Sequence, residues 1–90
     1  MKKETRVKLI KKLDITDMAG DKVMVDFESG KYFLLKGTAV DIWDCIQSET
    51  TIADIMSHLQ QIYDVDEDTC LSGIIAFLKQ LQNNNFIELA

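Results

Sequence analysis

The segment from Val23 to Trp43, VMVDFESGKYFLLKGTAVDIW, constrains the fold of this chain more than any other. It reads as an alternating strand, a Ser-Gly turn, and four successive apolar residues that run directly into a helix start. In the first arm Val23, Val25 and Phe27 share one face, and Met24, Asp26 and Glu28 share the other. That period of two belongs to a strand with one wet side, here the face of Met24, Asp26 and Glu28. The second arm breaks the rule, because Tyr32, Phe33, Leu34 and Leu35 make both faces apolar. Such a strand is either covered twice by its own chain or keeps one face and an edge for a partner.

A chain of 90 residues with 47% hydrophobic content and no proline can bury one modest core, so a single compact domain is expected. Cys45 and Cys70 each fall inside an apolar helical pattern without the short spacing of metal ligands. No secretory signal or membrane span is visible. These features point to a reduced, cytoplasmic setting with both thiols packed. The net charge of −5 is unevenly distributed: the first twelve residues carry six basic groups and Glu4, the remainder four basic and fourteen acidic groups. Residues 1–12 therefore read as a basic tail, flexible or a weak strand through Val7, Leu9 and Leu13, and residues 13–90 as the acidic domain. Such a body repels phosphate backbones, which disfavours nucleic acid as a partner.

Alternation over Leu13–Met18, a turn at Ala19-Gly20-Asp21, a strand over Val23–Phe27, a turn at Glu28–Gly30 and a strand over Lys31–Leu35 predict a three-stranded antiparallel meander. A first helix is expected to open at Gly37-Thr38 with Thr38 as its cap, burying Ala39, Ile42, Trp43 and Ile46. A second is capped by Thr51 with Asp54 three residues on, buries Ile52, Ile55, Met56, Leu59, Ile62 and Tyr63, and stops near Asp64. The third is capped by Asp66 and runs through Leu71, Ile74, Ile75, Leu78 and Leu81 to the Asn83-Asn84-Asn85 breaker, before Phe86–Leu89 closes the chain as a short strand. At ~100° per residue, Cys70, Leu71, Ile74, Ile75, Phe77, Leu78 and Leu81 cover an arc of about 160°, wider than the roughly 100° a surface helix needs for one core. That excess fits a terminal helix packed against two elements, and it equally fits a helix with one flank open to a partner.

Catalytic and ligand motifs are scarce. His58 is the only histidine, and neither cysteine is placed by sequence to form a relay with it. The run Asp64-Val65-Asp66-Glu67-Asp68 lacks the central glycine and distal glutamate of a calcium loop and reads as helix-capping charge. Gly20, Gly30, Gly37 and Gly73 are isolated and build no phosphate loop. No metal and no cofactor is expected.

Strands, then three helices, then a closing strand give an α+β, winged helix-turn-helix-like domain, an architecture used for both DNA and protein recognition. A reading helix should carry Arg and Lys, yet the second helix has neither and the third has only Lys79. An open strand edge beside an over-wide apolar helix favours peptide binding instead. A winged-helix transcription regulator using the basic tail, and an enzyme fragment without chemistry of its own, are the competing readings.

The series Gly30-Lys31-Tyr32-Phe33-Leu34-Leu35-Lys36-Gly37-Thr38-Ala39-Val40-Asp41-Ile42-Trp43, followed by Thr51–Ile55, Leu59–Tyr63, Phe77-Leu78 and Leu81, resembles the PqqD-like proteins over about Val23 to Leu89. The chain departs from that pattern at Leu35-Lys36, where Leu-Asn is common, and at Ser48-Glu49-Thr50, where a glycine often stands. These departures favour another modified peptide over pyrroloquinoline quinone itself. The resemblance implies a non-catalytic recognition element for ribosomally made, modified peptides, acting in a lasso-peptide, pyrroloquinoline quinone or related pathway. It implies that the leader segment of a precursor lies as an added strand beside Lys31, Tyr32, Phe33, Leu34 and Leu35 and across Cys70, Ile74, Phe77 and Leu81. It implies that the precursor's core segment is then presented to a modifying enzyme or a protease. No nucleic-acid or membrane partner is implied, and the free protein is expected as a monomer or a weak homodimer.

Overall fold

The computed structural model describes residues 1–11 and 13–90; Lys12, the last residue of the expected tail, lies outside the described residues. The chain runs β1 (Arg6–Leu9), β2 (Asp14–Met18), β3 (Asp21–Asp26), β4 (Lys31–Leu35), α1 (Thr38–Cys45), β5 (Thr50–Thr51), α2 (Ile52–Ile62), α3 (Glu67–Asn83) and β6 (Ile87–Leu89). The expected meander, three helices and closing strand are all present, in an α+β fold. β1 realises the strand alternative for the basic tail, over Arg6–Leu9, and β5 was not expected.

β2, β3 and β4 form one antiparallel sheet in that order, with Asp14 opposite Val25, Met24 opposite Phe33 and Asp26 opposite Lys31. Left-handed backbone at Ala19 and Gly20 closes the first hairpin, and Gly30, at φ 72°, closes the second. Glycine supplies that conformation without a Cβ clash. The second sheet has order β5-β1-β6, with Arg6 opposite Thr51 and Val7 opposite Leu89. Of the two readings of the basic tail, the strand holds over Arg6–Leu9; it is the central strand of this sheet, with Val7 fully buried, and so belongs to the domain and not to a flexible tail. Pairing with both later strands satisfies its backbone groups, and a β-branched side chain on the core face pins it.

The two faces of β3 are the reverse of the sequence expectation. Met24 and Asp26 are buried, Val23 and Val25 are half-buried, and Phe27 is exposed. Register decides this: Val23 and Val25 stand opposite Leu34 and Tyr32, whereas Met24 stands opposite Phe33 on the side facing the helices. Asp26 is tolerated inside because its carboxylate is satisfied, by the Lys11 ammonium at 3.0 Å, the Ser29 hydroxyl at 2.8 Å and the Glu28 amide at 3.2 Å.

The helices close over the sheets. Ile42 and Trp43 from the first with Ile46 at its C-cap, Ile52, Ile55, Met56 and Leu59 from the second, and Cys70, Ile74, Leu78 and Leu81 from the third form one core with Val7, Met24, Leu35, Phe86 and Ile87. Thr51 accepts the Asp54 amide and Asp66 accepts that of Thr69, as the capping signals predicted. Thr38 does not cap: Gly37 occupies that position without a side-chain bond, and Thr38 is the first helical residue. Ile62, expected in the buried stripe, is exposed, since α2 ends there and the chain turns away. Asn85, at φ 61°, reverses the chain after α3 and sends Phe86 into the core. Among the described residues, no helix is long and apolar enough to cross a membrane.

Candidate functional site

β4 is an edge strand: it pairs with β3 and, among the described residues, with nothing on its other side. Its side chains divide as the second arm of the sequence suggested. Leu35 is buried and Phe33 half-buried, Phe33 meeting Phe86 edge to face with ring centroids 5.4 Å apart. Tyr32 and Leu34 point outward and are 76% and 54% exposed, so the free edge carries free apolar surface with it.

α3 runs past this edge and leaves a groove of about 510 Å³ between them. Tyr32, Phe33, Leu34 and Leu35 form one wall, Phe77, Gln80 and Leu81 the other. Lys31 and Lys36 stand at the two ends of the strand, both exposed. A row of unpaired backbone donors and acceptors beside an apolar trough has the form that can take an extended chain as an added strand.

The over-wide arc of α3 resolves into parts. Cys70, Ile74, Leu78 and Leu81 are buried, and span only about 80° at ~100° per residue. Phe77 flanks this band on the side of β4 and is half-buried, as are Leu71 and Ile75 on the far side. Of the four α3 residues drawn from the family resemblance, Phe77 and Leu81 line the β4 groove, with Leu81 as floor at 2% exposure. Cys70 and Ile74 do not. They belong to the core and bound a separate pocket nearer the start of α3, because they lie one and two turns upstream, where the helix faces α1 and α2 rather than β4. Met24, Lys36, Ala39 and Gln80 also line the groove and were not singled out from sequence. Gln80 carried a signal of sorts, standing three residues after Phe77 on the same helical face.

Among the described residues, the groove's lining contains no His, Cys, Asp, Glu or Ser. Burial pushes the Cys45 and Cys70 thiols up from their ordinary value, and neither lines the groove. His58 is exposed on α2, apart from the groove. Among the described residues, no three His, Cys, Asp or Glu side chains are placed to hold a metal ion.

Compared with known proteins, the chain matches the family model for coenzyme PQQ synthesis protein D (PqqD) from residue 21 to residue 87. It belongs to the PqqD family. The matched span covers β3 through the start of β6, and so contains both walls of the groove. No curated protein sequence matches this PqqD-family chain. Its fold is that of a solved structure described as "TbiB1 in Complex with the TbiA(beta) Leader Peptide", with a TM-score of 0.79 at 22% identity over 90% of this chain and 94% of that one.

Proposed function

We propose that this PqqD-family protein is a non-catalytic recognition element that holds the leader segment of a ribosomally made, modified peptide as an added strand on β4, beside α3. It presents the remainder of the precursor to a modifying enzyme or a protease, in a lasso-peptide, pyrroloquinoline quinone or related pathway. The observation that carries this reading is the free edge of Lys31–Leu35 facing Phe77 across an apolar groove. The fold likeness to a protein solved with a leader peptide supports it.

Magnitudes say where affinity and selectivity arise. A five-residue edge offers roughly half its backbone groups outward, and net hydrogen bonds are worth about 0.5–1.5 kcal/mol each. Association costs about 4–15 kcal/mol, which matches or exceeds that gain. Sequence-tolerant main-chain pairing therefore sets the register, and one or two apolar leader side chains against Phe33, Leu34 and Phe77 make the complex stable. No cofactor takes part, and the free protein is a monomer or weak homodimer.

Titration of a fluorescently labelled leader peptide and, separately, a labelled DNA duplex at moderate salt tests this function. Saturable leader binding with negligible duplex binding supports it. Duplex binding without leader binding contradicts it and favours a winged-helix regulator.

A further inference from the structure

A second apolar pocket, of about 440 Å³, lies between the start of α1, the α2–α3 junction and the first half of α3. Ile42, Leu59 and Ile74 form its floor, and the half-buried Tyr63 and Val65 its side. That volume is within the range of small-ligand sites and ample for a large apolar side chain.

Three observations connect it to the groove. The first is continuity: Ala39 lines the groove while its neighbour Thr38 lines the pocket, and on α3 Phe77 of the groove lies one turn from Gly73 of the pocket. Groove and pocket thus adjoin at Thr38-Ala39, three residues past Leu35 in the chain, and across one turn of α3.

The second is Gly73. It sits inside a 17-residue helix, where glycine is the poorest residue after proline, yet a Cβ placed there meets nothing within 4 Å. Its φ is not left-handed, so neither backbone conformation nor packing requires a glycine. What its missing side chain does provide is open space at the pocket mouth, where another backbone can approach.

The third is charge. Asp64 is on the rim, Tyr63 donates its hydroxyl to Asp41 at 2.5 Å, and Asp66, Glu67 and Asp68 follow at the start of α3. Among the described residues, no Lys or Arg lines the pocket.

We propose that this pocket is a second subsite of the β4 groove, which receives one large apolar side chain, flanked by Lys or Arg, of the bound extended peptide. Gly73 keeps its entrance open. The inference rests on strand addition at β4 and adds to it the chemistry that selects the peptide.

The probe is an extended peptide selected from a displayed random 15-residue library against the whole protein, taken with its single-alanine variants. Gly73→Leu should fill the mouth and weaken the parent peptide at least tenfold. One alanine variant, lacking the anchor, should bind wild type and Gly73→Leu equally. Gly73→Ala, which is favoured in a helix, should raise the thermal midpoint and weaken the parent peptide about threefold or more, and it decides the matter if Gly73→Leu fails to fold. Lys or Arg should stand beside the anchor in the selected sequences. Wild-type affinity in the Gly73 variants, with β4 amides still protected by the peptide, would overturn the subsite and leave strand addition standing. A peptide that leaves β4 amides unprotected would overturn strand addition itself, and acidic residues beside the anchor would overturn the choice of occupant.

Discussion

The same substitution, an apolar residue to aspartate, should have opposite consequences at two positions that the family resemblance assigns to one binding surface. Ile74 is fully buried, whereas Leu34 is 54% exposed. Removing a buried isoleucine side chain costs about 2–5 kcal/mol, and a carboxylate buried without a partner adds several more. A domain of this length is stable by roughly 5–13 kcal/mol, at ~0.05–0.15 kcal/mol per residue. Ile74→Asp should therefore lose most or all of its native population. At Leu34 the change is confined to a solvent-facing edge position, where the expected effect is under about 1 kcal/mol. Leu34→Asp should unfold at nearly the wild-type urea midpoint, yet bind leader peptide at least tenfold more weakly. Far-UV circular dichroism with urea titration reads the fold, and fluorescence anisotropy reads binding. Retained helical signal and cooperative unfolding in Ile74→Asp would refute the reasoning, because Ile74 would then line an open surface. Wild-type binding by Leu34→Asp would refute the other half.

Deleting Met1–Lys12 removes β1 from between β5 and β6 together with the fully buried Val7, so the truncated protein should show lost or strongly destabilised structure by circular dichroism. Trp43→Ala, at a position 3% exposed, should cost about 3–5 kcal/mol, read as a lower urea midpoint with an unchanged slope. Hydrogen bonds from Lys11, then from Ser29, hold the Asp26 carboxyl below the usual carboxylate range. Its stabilising contribution is present above the ordinary Asp value of about 3.9 and is lost as pH falls through the depressed folded value, so the thermal midpoints of wild type and Asp26→Asn should converge over that acid window. A gap that persists at the lowest pH would contradict this. Leader affinity should change by far less than the ~10³-fold lost by a protein with six or more phosphate contacts between about 50 and 200 mM salt.

What the sequence made legible was local. The caps at Thr51 and Asp66 were readable because each is a side chain reaching an amide three residues on. The stop at Asn83-Asn84-Asn85 was readable for another reason: asparagine tolerates the left-handed backbone that Asn85 adopts. Thr38 misled, since Gly37 beside it takes up the bend and leaves Thr38 inside the helix. The β5-β1-β6 sheet was obscure because its strands are two to four residues long and pair across most of the chain, Val7 with Leu89 and Arg6 with Thr51. In β3 the alternation was real, but a period of two does not say which face is inside when both carry apolar residues; the register against Phe33 and Leu35 decided it. Half of the groove was legible. The doubly apolar Tyr32–Leu35 run did mark a free edge, whereas the line from Cys70 to Leu81 merged core, floor and flank, because a helical arc records apolar width without recording its neighbours.

The central claim, that a peptide joins the sheet at β4, is tested most directly by amide hydrogen exchange followed by NMR, with and without saturating leader peptide. Slowed exchange confined to outward-facing amides of Lys31–Leu35, with chemical-shift changes at Phe77 and cross-strand contacts from peptide to β4, is the result expected. Protection at β2 or β6, or shifts limited to the basic residues near the N-terminus with β4 unchanged, would place recognition elsewhere on the molecule and contradict the account.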